Sequence, residues 1–195
     1  MNIEILILVL VVVAIFLAAA LGVVFASRNK RSQKLRDKFG PEYDLTVKNV
    51  GDQRKAEETL DEREERVTKL NIRDLKITER DAYSEEWQKI QADFVDNPST
   101  SVDEASRLIT EVMIARGFPV SDFEQRAADL SVMYPNFVPN YRNAYDIALK
   151  NQRKETSTEE LRQAMVNYHS MFEELLGIVK VNEVEDKDME VAIHE

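Results

Sequence analysis

The amino-acid sequence predicts an all-α fold: an N-terminal transmembrane helix, then a charged amphipathic helix, then a compact multi-helix domain. Three observations carry this expectation. Residues 5–26 contain no charged or strongly polar side chain. The segments beyond repeat apolar residues at three- and four-residue spacing. Sequences of capping-box form begin at Ser101, Ser121 and Ser157, whereas no stretch alternates convincingly as a strand.

The first element is the anchor. From Ile5 to Ala26 the run holds sixteen Leu, Ile, Val or Phe, five Ala and Gly22. At 1.5 Å per residue that is roughly 33 Å of helix, enough for a hydrocarbon core of about 30 Å. Insertion is favoured by roughly 6 kcal/mol from the large apolar side chains. A cleaved signal peptide fits less well: Ala18, Ala19 and Ala20 suit a peptidase, but no Lys or Arg precedes the run and the basic cluster follows it. Arg28, Lys30, Arg31, Lys34, Arg36 and Lys38 form that cluster over residues 28–39. By the positive-inside rule they orient the single-pass chain with its N-terminus outside and its C-terminal part in the cytoplasm. They are also candidate contacts for anionic lipid headgroups.

The whole chain of 195 residues carries a net charge of −10, but the signs are segregated. Residues 39–195 hold 20 basic and 34 acidic groups, a net of −14. Such a field repels phosphate backbones, so no nucleic-acid partner is expected. The absence of cysteine removes disulfide scaffolds, thiol catalysis and Cys-ligated zinc.

Residues 40–77 read as a charged helical connector. Gly40-Pro41 is a stop and restart signal, with a short helix from about Pro41 to Val50. Asp52 is an N-cap candidate for the next helix, which runs to about Leu70. Its apolar stripe of Ala56, Leu60, Val67 and Leu70 is narrow, with Arg63 in the missing position. This suits a helix lying on a larger body, or a weak coiled coil.

Residues 78–177 read as the helical domain. Thr78 opens its first helix, with Tyr83, Trp87, Ile90 and Phe94 on one face, ended by Asn97-Pro98. Ser101 caps the next, whose Ala105, Leu108, Ile109, Val112 and Met113 form a broad stripe up to Gly117. Ser121 caps a third, carrying Phe123, Ala127, Leu130 and Tyr134. Phe137, Tyr141, Ala144, Tyr145 and Ala148 line a fourth, running to about Arg153 with Pro139 in its first turn. Ser157 caps the last, which carries Leu161, Ala164, Met165, Tyr168, Phe172 and Leu175 to a stop at Gly177. The acidic tail, residues 178–195, has too few apolar groups in a fixed period to fold by itself.

Three segments carry a resemblance: Arg31 to Asp44 (RSQKLRDKFGPEYD), Phe123 to Ser131 (FEQRAADLS) and Leu161 to Leu176 (LRQAMVNYHSMFEELL). Over these the chain resembles an uncharacterised family of bacterial single-pass membrane-anchored proteins with a cytoplasmic helical domain. The resemblance implies an inner-membrane setting and transfers no activity, ligand or site residue.

Direct signs of chemistry are sparse. The five glycines are too far apart for a phosphate-cradling loop. His169 has Glu173 one turn away, which is half a metal site at most and far more often a simple helical contact. His194 lies in the tail. The carboxylates Glu58, Glu62, Glu64, Glu65, Glu159 and Glu160 read as solvated or paired helix faces. Tyr83, Trp87, Phe94, Phe137, Tyr141 and Tyr145 can line a pocket but at helical spacing are primarily core. No catalytic residue, metal ligand or cofactor is implied.

The expectation for function is a non-enzymatic, membrane-tethered interaction module with a protein partner. The alternatives are an enzyme or ligand-binding domain whose site is assembled from loops, and self-association through residues 52–70. A closed pocket with convergent polar groups favours the enzyme, and an exposed apolar face favours the module.

Overall fold

The structure is a computed structural model that describes residues 12, 16, 25, 27–119 and 122–177. Among these residues every regular element is a helix. Residues 27–39 form α1, followed by α2 (Pro41–Val50), α3 (Gln53–Thr68), α4 (Ile77–Asp93), α5 (Pro98–Ala115), α6 (Phe123–Met133), α7 (Val138–Gln152) and α8 (Thr158–Leu176).

The expected single-pass anchor requires correction. Among the described residues no helix is long and apolar enough to cross a membrane. Even the longest of α2–α8, α8 with 19 residues, carries Glu159, Glu160, Arg162, Glu173 and Glu174. Such a helix can bury one stripe but not its whole circumference. Residues 5–26, apart from Val12, Phe16 and Phe25, lie outside the described residues. The inner-membrane placement, with the N-terminus outside and the helical domain in the cytoplasm, is therefore not carried further. The acidic tail also lies outside the described residues.

Local chemistry explains most helix boundaries. Gly40 turns at φ 49° between α1 and α2, and Pro41 sits in the first turn of α2. Asp52 caps α3 by accepting from the Lys55 backbone N–H at 2.9 Å. Ser157 and Glu160 form the expected capping box of α8, and Gly177 closes that helix at φ 75°. Three expected starts shift. Helix α4 begins at Ile77 rather than Thr78, because Glu79 reaches back to the Lys76 N–H at 2.8 Å. Helix α5 begins at Pro98, whose missing N–H costs nothing in a first turn, so Ser101 is buried inside the helix instead of capping it. Helix α6 is capped by Asp122, which accepts from Gln125 N–H at 3.0 Å, and Ser121 lies outside the described residues.

Helix α5 is the hub. Its Val102, Ala105, Leu108, Ile109 and Val112 are fully buried, and α4, α7 and α8 pack around it. Tyr141 of α7 and Tyr168, Met171 and Leu175 of α8 complete this core. Each large side chain so buried contributes about 2 kcal/mol or more. A second cluster joins Leu35 and Phe39 of α1, Tyr43 of α2 and Leu60 of α3, with Val132 of α6 packed against it. The narrow stripe of α3 is consequently covered within the chain: Ala56, Leu60 and Val67 are buried.

Candidate functional site

Helices α4 and α8 both lie on α5, and a groove remains between them. Phe94 and His169 are its aromatic lining residues, and His169 lies against a buried tryptophan. Trp87, 3% exposed, stacks on Phe172 at 4.8 Å between ring centroids and meets the His169 ring at 5.2 Å. The helical period sets Trp87, Gln91 and Phe94 on one flank of α4, the flank on which Trp87 meets Phe172 and His169 of α8. The groove encloses about 210 Å³ and is lined by Gln91, Phe94, Arg162, Met165, Val166 and His169. Val166 is half exposed, and Val95, next to Phe94 in the chain, is 83% exposed.

Among the described residues lining the groove, Arg162 carries the fixed charge. No carboxylate is among them, but Arg162 at the rim is paired with Glu159, donating from Nε to Oε2 at 2.9 Å and from Nη2 to Oε1 at 2.6 Å. His169 Nε2 lies 3.8 Å from Glu173 Oε1, the simple intrahelical contact expected from the sequence. The arrangement can seat one large apolar side chain and an adjacent anion. Among the described residues it places no nucleophile beside a base.

A polar cavity of about 510 Å³ opens between α1 and the start of α3, lined by Arg28, Arg31, Ser32, Gln53, Arg54 and Glu57 among others. Glu57 Oε1 accepts from Ser32 Oγ at 2.6 Å, Tyr43 Oη at 2.8 Å and Gln53 Nε2 at 3.0 Å. Burial pushes its carboxyl up, but these donors and nearby Arg31 outweigh burial and hold it below the usual carboxylate range. A carboxylate so stabilised as an anion is a poor proton acceptor.

The third polar feature is the seam where α2 and α3 meet α6 and α7. Glu42, 1% exposed, accepts from Arg142 and lies 3.7 Å from Arg63 Nη1. Asp129, equally buried, takes Arg66 Nη2 at 2.7 Å and Gln125 Nε2 at 2.8 Å. These partners hold the two core clusters together. Of them, the sequence singled out only Arg63, as the residue breaking the apolar stripe of α3.

The basic residues picked out after the apolar run are spread along α1. Arg31 pairs with Asp61, Arg36 with Asp44 at 3.6 Å and Lys38 with Glu64 at 2.6 Å. Arg28 lines the polar cavity, and Lys30 and Lys34 are exposed. The carboxylates considered as acid/base pairs are engaged with separate partners: Glu58 pairs with Arg54, Glu65 with Lys69, and Glu160 serves the cap at Ser157. Among the described residues no group of three potential ligands is placed to hold a metal ion. Trp87 is core as expected, with Tyr83, Phe94, Phe137 and Tyr145 partly buried against it.

No family model matches the chain, and neither a curated protein nor a solved structure does. The resemblance to a bacterial single-pass membrane-anchored family, drawn from residues 31–44, 123–131 and 161–176, is corrected accordingly. Those segments are ordinary amphipathic helix and capping sequence, a pattern that unrelated helical proteins share.

Proposed function

We propose that this chain is a non-enzymatic helical interaction module and that the α4–α8 groove is its docking surface. The occupant is an amphipathic segment of a partner protein that offers one large apolar side chain followed by an acidic group. The observation that carries this reading is an open apolar groove with an arginine at its rim: among the described residues Phe94, Met165, Val166 and His169 line it with Arg162, and no carboxylate does. A cavity of about 210 Å³ suits a single anchor residue, and one anchor suits a weak, reversible contact.

The alternative is an enzyme or ligand-binding domain, and it draws less support. The polar cavity at α1 and α3 holds its one buried carboxylate as a stabilised anion tied to three donors. That role is structural.

Crosslinking tests the proposal. A photo-reactive residue at Val166, in cells that make the protein, is expected to give a discrete adduct that Arg162→Glu abolishes. The same probe at Leu149, exposed on α7, is expected to give none. Identical adducts at both positions, or turnover of a metabolite by the purified chain, would overturn the reading.

A further inference from the structure

The polar cavity between α1 and the start of α3 lies on other helices than the docking groove, and both of those helices build its lining. Phe25, Arg28, Asn29 and Ser32 recur at the three- and four-residue spacing of one helix face, and Gln53, Arg54 and Glu57 close the cavity from α3. At about 510 Å³ it falls within the roughly 300–1,000 Å³ of small-molecule sites.

The carboxylates of this lining are engaged. Asp52 accepts from the Lys55 backbone N–H at 2.9 Å. Glu57 Oε1 takes the Ser32, Tyr43 and Gln53 side chains, and Gln53 Nε2 is committed to the same network. What is left over is donors. Arg28 is exposed and, among the described residues, has no hydrogen bond or ion pair. Arg54, with a side chain 78% exposed, gives only its Nε to Glu58, at 3.3 Å, which leaves both Nη groups uncommitted. Arg31 is different, because Asp61 holds it.

Two guanidiniums lining one cavity from separate helices select the shape of the anion. A carboxylate offers two oxygens in one plane and is filled by a single arginine fork. A phosphomonoester carries nearly two charges and three terminal oxygens about one centre, so it can take a fork from each helix. Phe25, 67% exposed at the same cavity, gives an apolar face to the part of the molecule that bears the phosphate. Glu57 is held as a stabilised anion, so the site is built to bind its ligand rather than to turn it over.

We infer that this cavity binds a small molecule through a phosphomonoester group held by Arg28 and Arg54, with Phe25 against the rest of the molecule. The inference does not depend on the docking role of the α4–α8 groove.

Calorimetric titration of the full chain tests it with two probes that share the phosphomonoester: AMP, a free metabolite, and dihexanoyl phosphatidic acid, a soluble lipid headgroup. At least one is expected to bind, whereas adenosine, which lacks the phosphate, is not. Arg28→Glu is expected to weaken binding about tenfold or more. Arg28→Lys is expected to weaken it several-fold, because the fork is lost while the charge stays. Lys34→Glu makes the same charge change on α1 outside the cavity lining, and is expected to weaken binding less than about twofold. Because Arg28 has no partner among the described residues, its variants are expected to melt like the native chain, so lost binding reads the site and not unfolding. Either order of affinity upholds the site: tighter AMP assigns it to a soluble phosphomonoester, and tighter phosphatidic acid to a headgroup. Binding of neither probe, equal binding of adenosine, or equal losses for Arg28→Glu and Lys34→Glu would overturn the inference.

Discussion

Arg142 and Glu42, a hundred positions apart in the chain, are joined across the seam between α7 and α2. Arg142 Nε donates to Glu42 Oε1 at 2.9 Å and Nη2 to Oε2 at 3.3 Å. Glu42 is buried, and its other cation, Arg63, stands off at 3.7 Å. Arg142→Met strands a buried carboxylate and is expected to cost about 3 kcal/mol in urea unfolding. Replacing both partners, Glu42→Leu with Arg142→Met, removes the stranded charge and is expected to cost less than the single change. If the double variant were the weaker of the two, Glu42 would be acting through something other than this pair.

Gly117 and Gly51 both have positive φ, at 93° and 75°, but only Gly117 is crowded. A Cβ there would sit 2.4 Å from the backbone oxygen of Asn71, whereas at Gly51 nothing lies within 4 Å. Gly51→Ala is expected to lose about 1 kcal/mol, the ordinary left-handed penalty. Gly117→Ala must also push back the loop before α4, and is expected to lose about 3 kcal/mol or more. Equal melting temperatures for the two variants would show that the Asn71 loop yields freely.

What was legible in the sequence is what is decided within a few residues. The bounds of α2, the Asp52 cap and the Ser157 box are local bonds, and the sequence predicts each correctly. The Ser101 box fails because Pro98 offers an earlier start that no capping pattern includes. The seam could not be read, since nothing near Glu42 in sequence announces Arg142. Arg63 alone left a trace there, as a charge in an apolar register. The aromatic face of α4 was legible as core, but the groove beside it was not. That groove exists because α4 and α8 both pack on α5, which is a fact of tertiary packing.

Glu79 gives a pH signature of definite sign. Arg73 donates to it twice at 2.8 Å and the Lys76 N–H once, at 2.8 Å. The bonds from Arg73, followed by that from Lys76, bring its carboxyl from the ordinary 4.5 down to about 2. A carboxyl lowered on folding stabilises the fold above its unfolded value and loses that effect as pH falls through its folded value. The stability difference between the native chain and Glu79→Gln is expected to be level above about pH 5 and to shrink between pH 4.5 and 2. A difference that stays level down to pH 2 would mean the Arg73 bonds do not persist in solution.

Arg116 is the last group whose removal separates a buried role from a surface one. Its side chain, 6% exposed, donates to Leu175 O at 2.9 Å, to Arg73 O at 3.2 Å and to Tyr134 Oη. One guanidinium thus ties the end of α8, the end of α6 and the loop before α4. Leu175 O is among the last carbonyls of α8 and has no partner within its own helix. Arg116→Met keeps the bulk but leaves these acceptors dry, and is expected to cost about 2–4 kcal/mol. Arg107→Met is the contrast. Arg107 is exposed and pairs with Glu111 one turn on, so its loss is expected to stay within about 0.5 kcal/mol. Thermal melting of the two variants checks the pair. Similar small shifts for both would show that water replaces the guanidinium of Arg116, and that the three elements hold together without it.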